Sequence, residues 1–321
     1  MSLDSFSAIL KPLDGREIPG FFSRYPVGIN VEADRITKAL RRIGIEATMP
    51  DTRERHRAKV RQASTYGDPF SICHCSAFPD RLELVGCIIE IMWIHDDIIE
   101  ELDHSIAMKE HELLAQVLTV HIDPSTFVAV NRRQSALARI LRLAIDMDPA
   151  QGPALVKTLQ TYLAAYDSTS VNFDKFEEYS AFRILNSGYA MSSFLMRWGM
   201  GFQLSEEEYA QVKEYDMAIA SAAGLTNDYF SWNVEKNQPT DRVRNGVDVL
   251  RRELRLSEGA AMTMLAGVIV DEERRAVRLK QALVRQGPSE RVLLYCTAIE
   301  LFAGGSCYWQ ATAPRYQVQE A

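Results

Sequence analysis

Between residues 81 and 103 the chain has no proline and only one glycine, Gly86, and its apolar residues recur at helical spacing. Later segments repeat the pattern, and no stretch alternates apolar and polar residues as a half-buried strand does. Helices are expected at about 31–45, 53–62, 81–103, 105–118, 125–145, 154–169, 175–200, 205–234, 247–254, 257–286 and 289–312. The first fifty or so residues, broken by Pro12, Pro19, Pro26 and Pro50, read as an N-terminal wrap around a helical core at about 51–321. Linker candidates at 148–152 and 237–245 are short and do not separate segments of different composition. One all-α domain, a helical bundle spanning 1–321, is therefore expected.

At 321 residues and 47% hydrophobic composition the chain has ample material for one packed core. A formal net charge of -7 argues against a protein that coats nucleic acid, so any anionic ligand must be gathered locally. The five cysteines show no repeated Cys-x-x-Cys spacing and nothing upstream resembles a secretory signal, which reads as reduced thiols in a cytoplasmic protein. Cys73-His74-Cys75 has no second Cys/His pair to complete a zinc site and reads as structural. The most apolar stretch, 84–94, contains Glu90 and is too short to cross a bilayer, so no membrane span is expected. The basic run at 53–62 reads as a solvated helix face. Ser205 and Ser257, each followed by glutamates, read as helix N-caps.

The chemistry concentrates at two places. Asn227, Ser231 and Glu235 stand at i, i+4 and i+8, steps that advance about 40° each, so one helix face carries an amide, a hydroxyl and a carboxylate. The three span a rise of about 12 Å, so sharing an ion requires Glu235 to lean back toward the N-terminus. Such hard oxygen ligands suit Mg2+, which prefers to be shared with a phosphate. Asp96 and Glu100, one turn apart after an apolar run, form a second acidic face. Arg183 and the Arg315-Tyr316 pair are candidates for gripping phosphate oxygens.

Taken in order along an all-helical chain, these motifs resemble the class I terpene synthases, and more narrowly the cyclase domain of fungal bifunctional terpene synthases. The resemblance covers essentially the whole chain. The family's aspartate-rich motif falls on Asp96-Asp97-Ile98-Ile99-Glu100, and its Asn-Ser-Glu triad on Asn227, Ser231 and Glu235, with Lys236 following. Its pyrophosphate-sensing arginine falls on Arg183 and its closing pair on Arg315-Tyr316. The resemblance implies Asp96, Asp97, Glu100, Asn227, Ser231 and Glu235 as the metal set, holding three Mg2+ ions, and Arg183, Lys236, Arg315 and Tyr316 as pyrophosphate donors. It also implies a covalently linked C-terminal prenyltransferase from which this cyclase is excised.

Two features depart from the family pattern. Related bacterial enzymes carry Asp and Gly three and four residues after the sensor, where this chain has Asn186 and Ser187, with Gly188 one later. His95 beside the acidic motif is unexpected and reads as a packing residue.

The implied reaction ionises an isoprenyl diphosphate, so the pocket below the ions should be apolar with aromatic faces that stabilise a cation. By helical spacing Trp93 and Trp309 are the best placed, with Phe70 and Tyr308 behind them. The resemblance puts C20 geranylgeranyl diphosphate first as substrate and a diterpene as product, then C25 geranylfarnesyl diphosphate, then C15. No side chain stands out as the final base, a role released pyrophosphate could fill. A chain-elongating isoprenyl diphosphate synthase is the rival enzyme, but the other acidic run, Asp271-Glu272-Glu273-Arg274, lacks the spacing of a second aspartate-rich motif. A non-catalytic helical scaffold is the remaining alternative. A homo-oligomer is left open, and 237–245 reads as a surface loop near the mouth.

Overall fold

The computed structural model describes residues 3–100, 102–166, 172–237 and 244–317. Helix α1 (Leu3–Ala8) leads into a two-stranded antiparallel ribbon, β1 (Leu10–Leu13) and β2 (Val27–Asn30), in which Leu10 faces Asn30. No strand was expected, because two four-residue strands are too short to display an alternating pattern. Then come α2 (Ala33–Ala47), α3 (Arg53–Arg61), the short α4 (Pro69–Cys73), α5 (Pro79–Ile99) and α6 (His104–Ala115). The second half contains α7 (Arg132–Met147), α8 (Gly152–Tyr166), α9 (Phe176–Asn186), α10 (Tyr189–Gly199), α11 (Glu206–Glu235), α12 (Gly246–Leu254), α13 (Glu258–Arg285) and α14 (Glu290–Thr312). A 3-10 turn, Pro314–Tyr316, follows.

Two elements differ from the sequence reading by more than a few residues. α7 starts seven residues later than expected, where the Asn131 side chain accepts from the Gln134 amide at 2.9 Å and caps it. The end of the helix expected at 154–169 falls partly outside the described residues, as does most of the loop at 237–245. The helix expected at 175–200 is two helices, α9 and α10, broken at Ser187-Gly188. Gly188 is left-handed, with φ 71°, which a residue bearing a Cβ adopts at a cost. Ser205 and Ser257 cap α11 and α13 as expected, and Glu208 completes a capping box by accepting from the Ser205 amide at 3.0 Å.

Helices α5 and α14 are apolar on nearly every face, as befits elements surrounded by others. α5 packs against α2, α7 and α3, while α14 packs against α11, α4 and β2. By length and composition α14 could cross a bilayer, although the sequence reading had singled out 84–94 as most apolar; 78% of its apolar window is buried within the bundle. At Gly304 on α14 the N-terminal segment touches helix backbone directly: a Cβ there would collide with the Pro26 carbonyl and stand 2.9 Å from that of Tyr25. The same segment is pinned to α13, where Glu273 accepts from Ser23 Oγ at 2.5 Å and from the Arg24 amide at 2.9 Å.

Two large core clusters result. One joins α2, α5, α7, α8 and α10, and the other joins α10, α11, α13 and α14. A cavity of about 280 Å³ lies between them.

Candidate active site

The i, i+4, i+8 face of α11 opens on this cavity, so Asn227, Ser231 and Glu235 all line it. One donor ties two of them together. The buried Asn245 amide nitrogen lies 3.3 Å from Ser231 Oγ, 3.0 Å from Glu235 Oε2 and 2.8 Å from the Asp228 carbonyl. Glu235 therefore does lean back by a turn, and two hard oxygens converge on one point.

Arg183, near the end of α9, meets the first ligand. Its Nη2 donates to Asn227 Oδ1 at 2.7 Å, its Nη1 to Asn186 Oδ1 at 3.2 Å, and its Nε lies 2.9 Å from Asp228 Oδ1. Asp228 also accepts from the Tyr179 hydroxyl at 2.6 Å and the Gly246 amide at 3.0 Å. Burial lifts its pKa to about 6, against the pull of Arg183. The turn after α14 closes the same wall: Asn227 Nδ2 donates to Tyr316 Oη at 3.2 Å and approaches Gln310 Oε1 at 3.4 Å.

Across the mouth, Asp96 and Glu100 line the cavity from the end of α5. Burial, followed by the charges of Asp96 and Asp97, pushes the Glu100 carboxyl well above the usual carboxylate range. Asp97 also lines the cavity, but its carboxylate pairs with the buried Arg61, with Arg57 at 3.5 Å and with Arg315 at 3.9 Å. Expected as a metal ligand, it stands among three guanidinium groups. Arg61, in the run expected to face solvent, is fully buried and also donates to Glu90 at 2.9 Å. Its partners lie on α5, out of reach of a reading confined to α3.

All the expected site residues line this one cavity except two. Lys236 caps the C-terminus of α11 and donates to Glu258 at 2.7 Å, away from the mouth. Tyr308 is rotated about 100° from Trp309 on α14, and packs edge-on against Phe21 and Tyr66 beside the N-terminal segment.

The other aromatics form one wall. Phe70 sits 5.0 Å from Trp93, Trp93 stacks on Trp309 at 5.8 Å, and Trp309 meets the edge of Tyr316 at 5.7 Å. Sequence reasoning missed Tyr162, Tyr189, Phe302, Arg244 and His74, which line the cavity as well. The first three could have been found by tracing turns along α8, α10 and α14; His74 stands in the Cys73-His74-Cys75 run that reads as structural, and nothing local marks Arg244. His95 does not line it. That ring is buried, 3.0 Å from Arg133 and 3.1 Å from His111.

Among the described residues no three His, Cys, Asp or Glu side chains gather closely enough to hold a metal alone. The donors present nevertheless fit Mg2+. Ser231 and Glu235 converge, Asp96 and Glu100 face them, and an ion completed by phosphate oxygens needs no carboxylate cage.

The fold is that of class I terpene synthases: aristolochene synthase from Penicillium roqueforti superposes with a TM-score of 0.74 over 92% of this chain and 99% of that one, at 17% identity. The sequence places the chain further. Residues 87–275 match the family model described as terpene synthase family 2, C-terminal metal binding, and the chain belongs to that family. A sesterterpene synthase from Colletotrichum orbiculare is 30% identical over 253 residues, 75% of this chain and 36% of its own length. A cyclopiane-type diterpene synthase from Penicillium chrysogenum is 26% identical over 262 residues, 78% of this chain and 34% of its own. The chain thus spans about a third of the length of these relatives.

Proposed function

We propose that the chain is a Mg2+-dependent class I terpene cyclase that ionises a linear isoprenyl diphosphate and cyclises the resulting carbocation with release of pyrophosphate. The observation that carries this reading is a single cavity that brings hard oxygens and arginines together with stacked aromatic rings. Asp96 and Glu100 on α5, with Asn227, Ser231 and Glu235 on α11, are the proposed metal ligands. When bound with the diphosphate, Mg2+ neutralises the charge that develops on the leaving group. Three ions are the number the family resemblance implies.

Arg183, Arg315 and Tyr316 donate to the phosphate oxygens and hold the scissile bond over the hydrocarbon end. Arg183 is fixed from three sides, by Asn186, Asn227 and Asp228, so its geometry is set before substrate arrives. Phe70, Trp93 and Trp309 exclude water and turn ring faces toward the cation. Lys236 and Tyr308 have no part in this reading.

The family resemblance ranks the C20 substrate first. The 30% relative named a sesterterpene synthase favours C25 geranylfarnesyl diphosphate instead, with geranylgeranyl diphosphate second. The relatives' length, about twice that of this chain, supports a bifunctional parent protein with an appended prenyltransferase, of which 1–321 is the cyclase unit.

The test is incubation with geranyl, farnesyl, geranylgeranyl and geranylfarnesyl diphosphates, with and without Mg2+, and product analysis by gas chromatography and mass spectrometry. A cyclic C25 or C20 product formed only with Mg2+ is expected. Longer linear diphosphates appearing on addition of isopentenyl diphosphate would make the chain an elongating synthase and overturn the reading.

A further inference from the structure

Among the described residues that line the cavity, one histidine plays no part in the ionisation chemistry. His74, immediately after α4, is 2% exposed and lines the cavity, and neither Nδ1 nor Nε2 has a hydrogen-bond partner among the described residues. Its ring meets the edge of Phe302 at 5.5 Å and lies 6.2 Å from Phe70. Phe302 stands eight residues before Gln310 on α14, so this end of the cavity is about 12 Å from the Asn227–Gln310 contact. A buried imidazole with both nitrogens unsatisfied is unusual in a packed core and calls for a role.

Burial depresses the His74 pKa to about 3, so the ring is neutral and one nitrogen carries an available lone pair. The nearby alternatives are poorer. Burial pushes the Cys73 thiol well up, leaving it protonated. Tyr189, on the Phe302 side, has its hydroxyl committed to Asp216 at 2.8 Å.

The geometry points to His74 as the base that ends the carbocation cascade. Building on the cyclase reading above, the step is as follows. A C–H bond next to the final cationic carbon breaks, its electron pair becomes the second bond of an alkene, and the proton joins the imidazole lone pair. The neutral product leaves, and the imidazolium passes its proton to released pyrophosphate or water as the cavity opens. His74 touches the hydrocarbon and is a catalytic residue in this scheme, at the opposite end from the diphosphate.

The experiment compares wild type with His74→Gln and His74→Phe, measuring pyrophosphate release, the hydrocarbon profile and the circular dichroism of each. Pyrophosphate release within about threefold of wild type is expected, with the wild-type product reduced more than tenfold in favour of alkene isomers or water-captured alcohols. An unchanged product profile in either folded variant overturns the proposal and returns the proton to pyrophosphate. Pyrophosphate release falling in step with product also overturns it, by moving His74 to the ionisation step. If the wild type itself forms no cyclic product, the cyclase reading fails first, which separates the two failures. Should neither variant fold, nitrogen-15 spectra of wild-type histidines decide: a neutral His74 ring at pH 7 supports the base, and an imidazolium overturns it.

Discussion

Asn245 is the residue on which the α11 wall depends most and the one least visible in sequence. Its side-chain Oδ1 caps α12 by accepting from the Val247 amide at 2.9 Å, while its side-chain Nδ2 spans Ser231 and Glu235. Asn245→Ala therefore removes a helix cap, at about 1 kcal/mol, and frees two proposed ligands. The apparent Mg2+ affinity is expected to fall about 10- to 100-fold, as when a metal site loses an outer partner, measured by Mg2+ titration of activity beside a thermal melt. His95 offers a test by pH. Burial first, then the Arg133 charge, depresses its pKa to about 2, whereas the unfolded chain protonates near 6.5. Below pH 6.5 the unfolded state binds a proton that the native state refuses, so this contribution to stability is lost as pH falls. Between pH 7 and 5 that loss is about 2 kcal/mol. Urea unfolding at both pH values should show His95→Asn losing less stability than wild type, whatever the buried carboxylates add in the opposite direction.

At the scale of elements, the break between α9 and α10 carries the clearest prediction. Gly188→Ala places a Cβ in the left-handed region, about 1–2 kcal/mol of strain, and 3.0 Å from the Tyr162 ring. The cavity-lining Ser187 shifts with it, so a melting temperature lower by several degrees and a pyrophosphate release rate lower by tenfold or more are expected together, from calorimetry and a phosphate assay. The break itself was illegible because a single glycine does not interrupt a helical period on paper. The long helices were legible, since their apolar spacing repeats over several turns, and so was the i, i+4, i+8 ligand face, because one helix carries it whole. Features that join distant elements were not. Nothing local to 53–62 announces that Arg61 is buried against Glu90 and Asp97, and nothing near Asp97 announces that it faces arginines. Tyr308 was misplaced for a simpler reason: adjacent helical residues point in different directions, and only contacts decide which of the two faces inward.

For the molecule as a whole, the Arg61 cluster ties α3 to α5 behind the aromatic wall. Burial works against the Arg61 charge, and Glu90 and Asp97 outweigh it. Arg61→Met takes the guanidinium partner from the buried Glu90 carboxylate, while Asp97 keeps Arg57 and Arg315 nearby, and is expected to cost about 3–5 kcal/mol. Adding Glu90→Gln should recover part of that loss in chemical denaturation, because it removes the stranded charge. The contact at Gly304 bears on time. Residues near Pro26 find their seat only once the last long helix exists, and Glu273 reaches Ser23 across 250 residues of chain. At ribosomal speeds of about 5–20 residues per second, the opening segment waits roughly 12 to 50 s for those partners to be made. The cavity is thus among the last features of the 1–321 unit to close, and until then its apolar lining depends on whatever else in the cell can cover it.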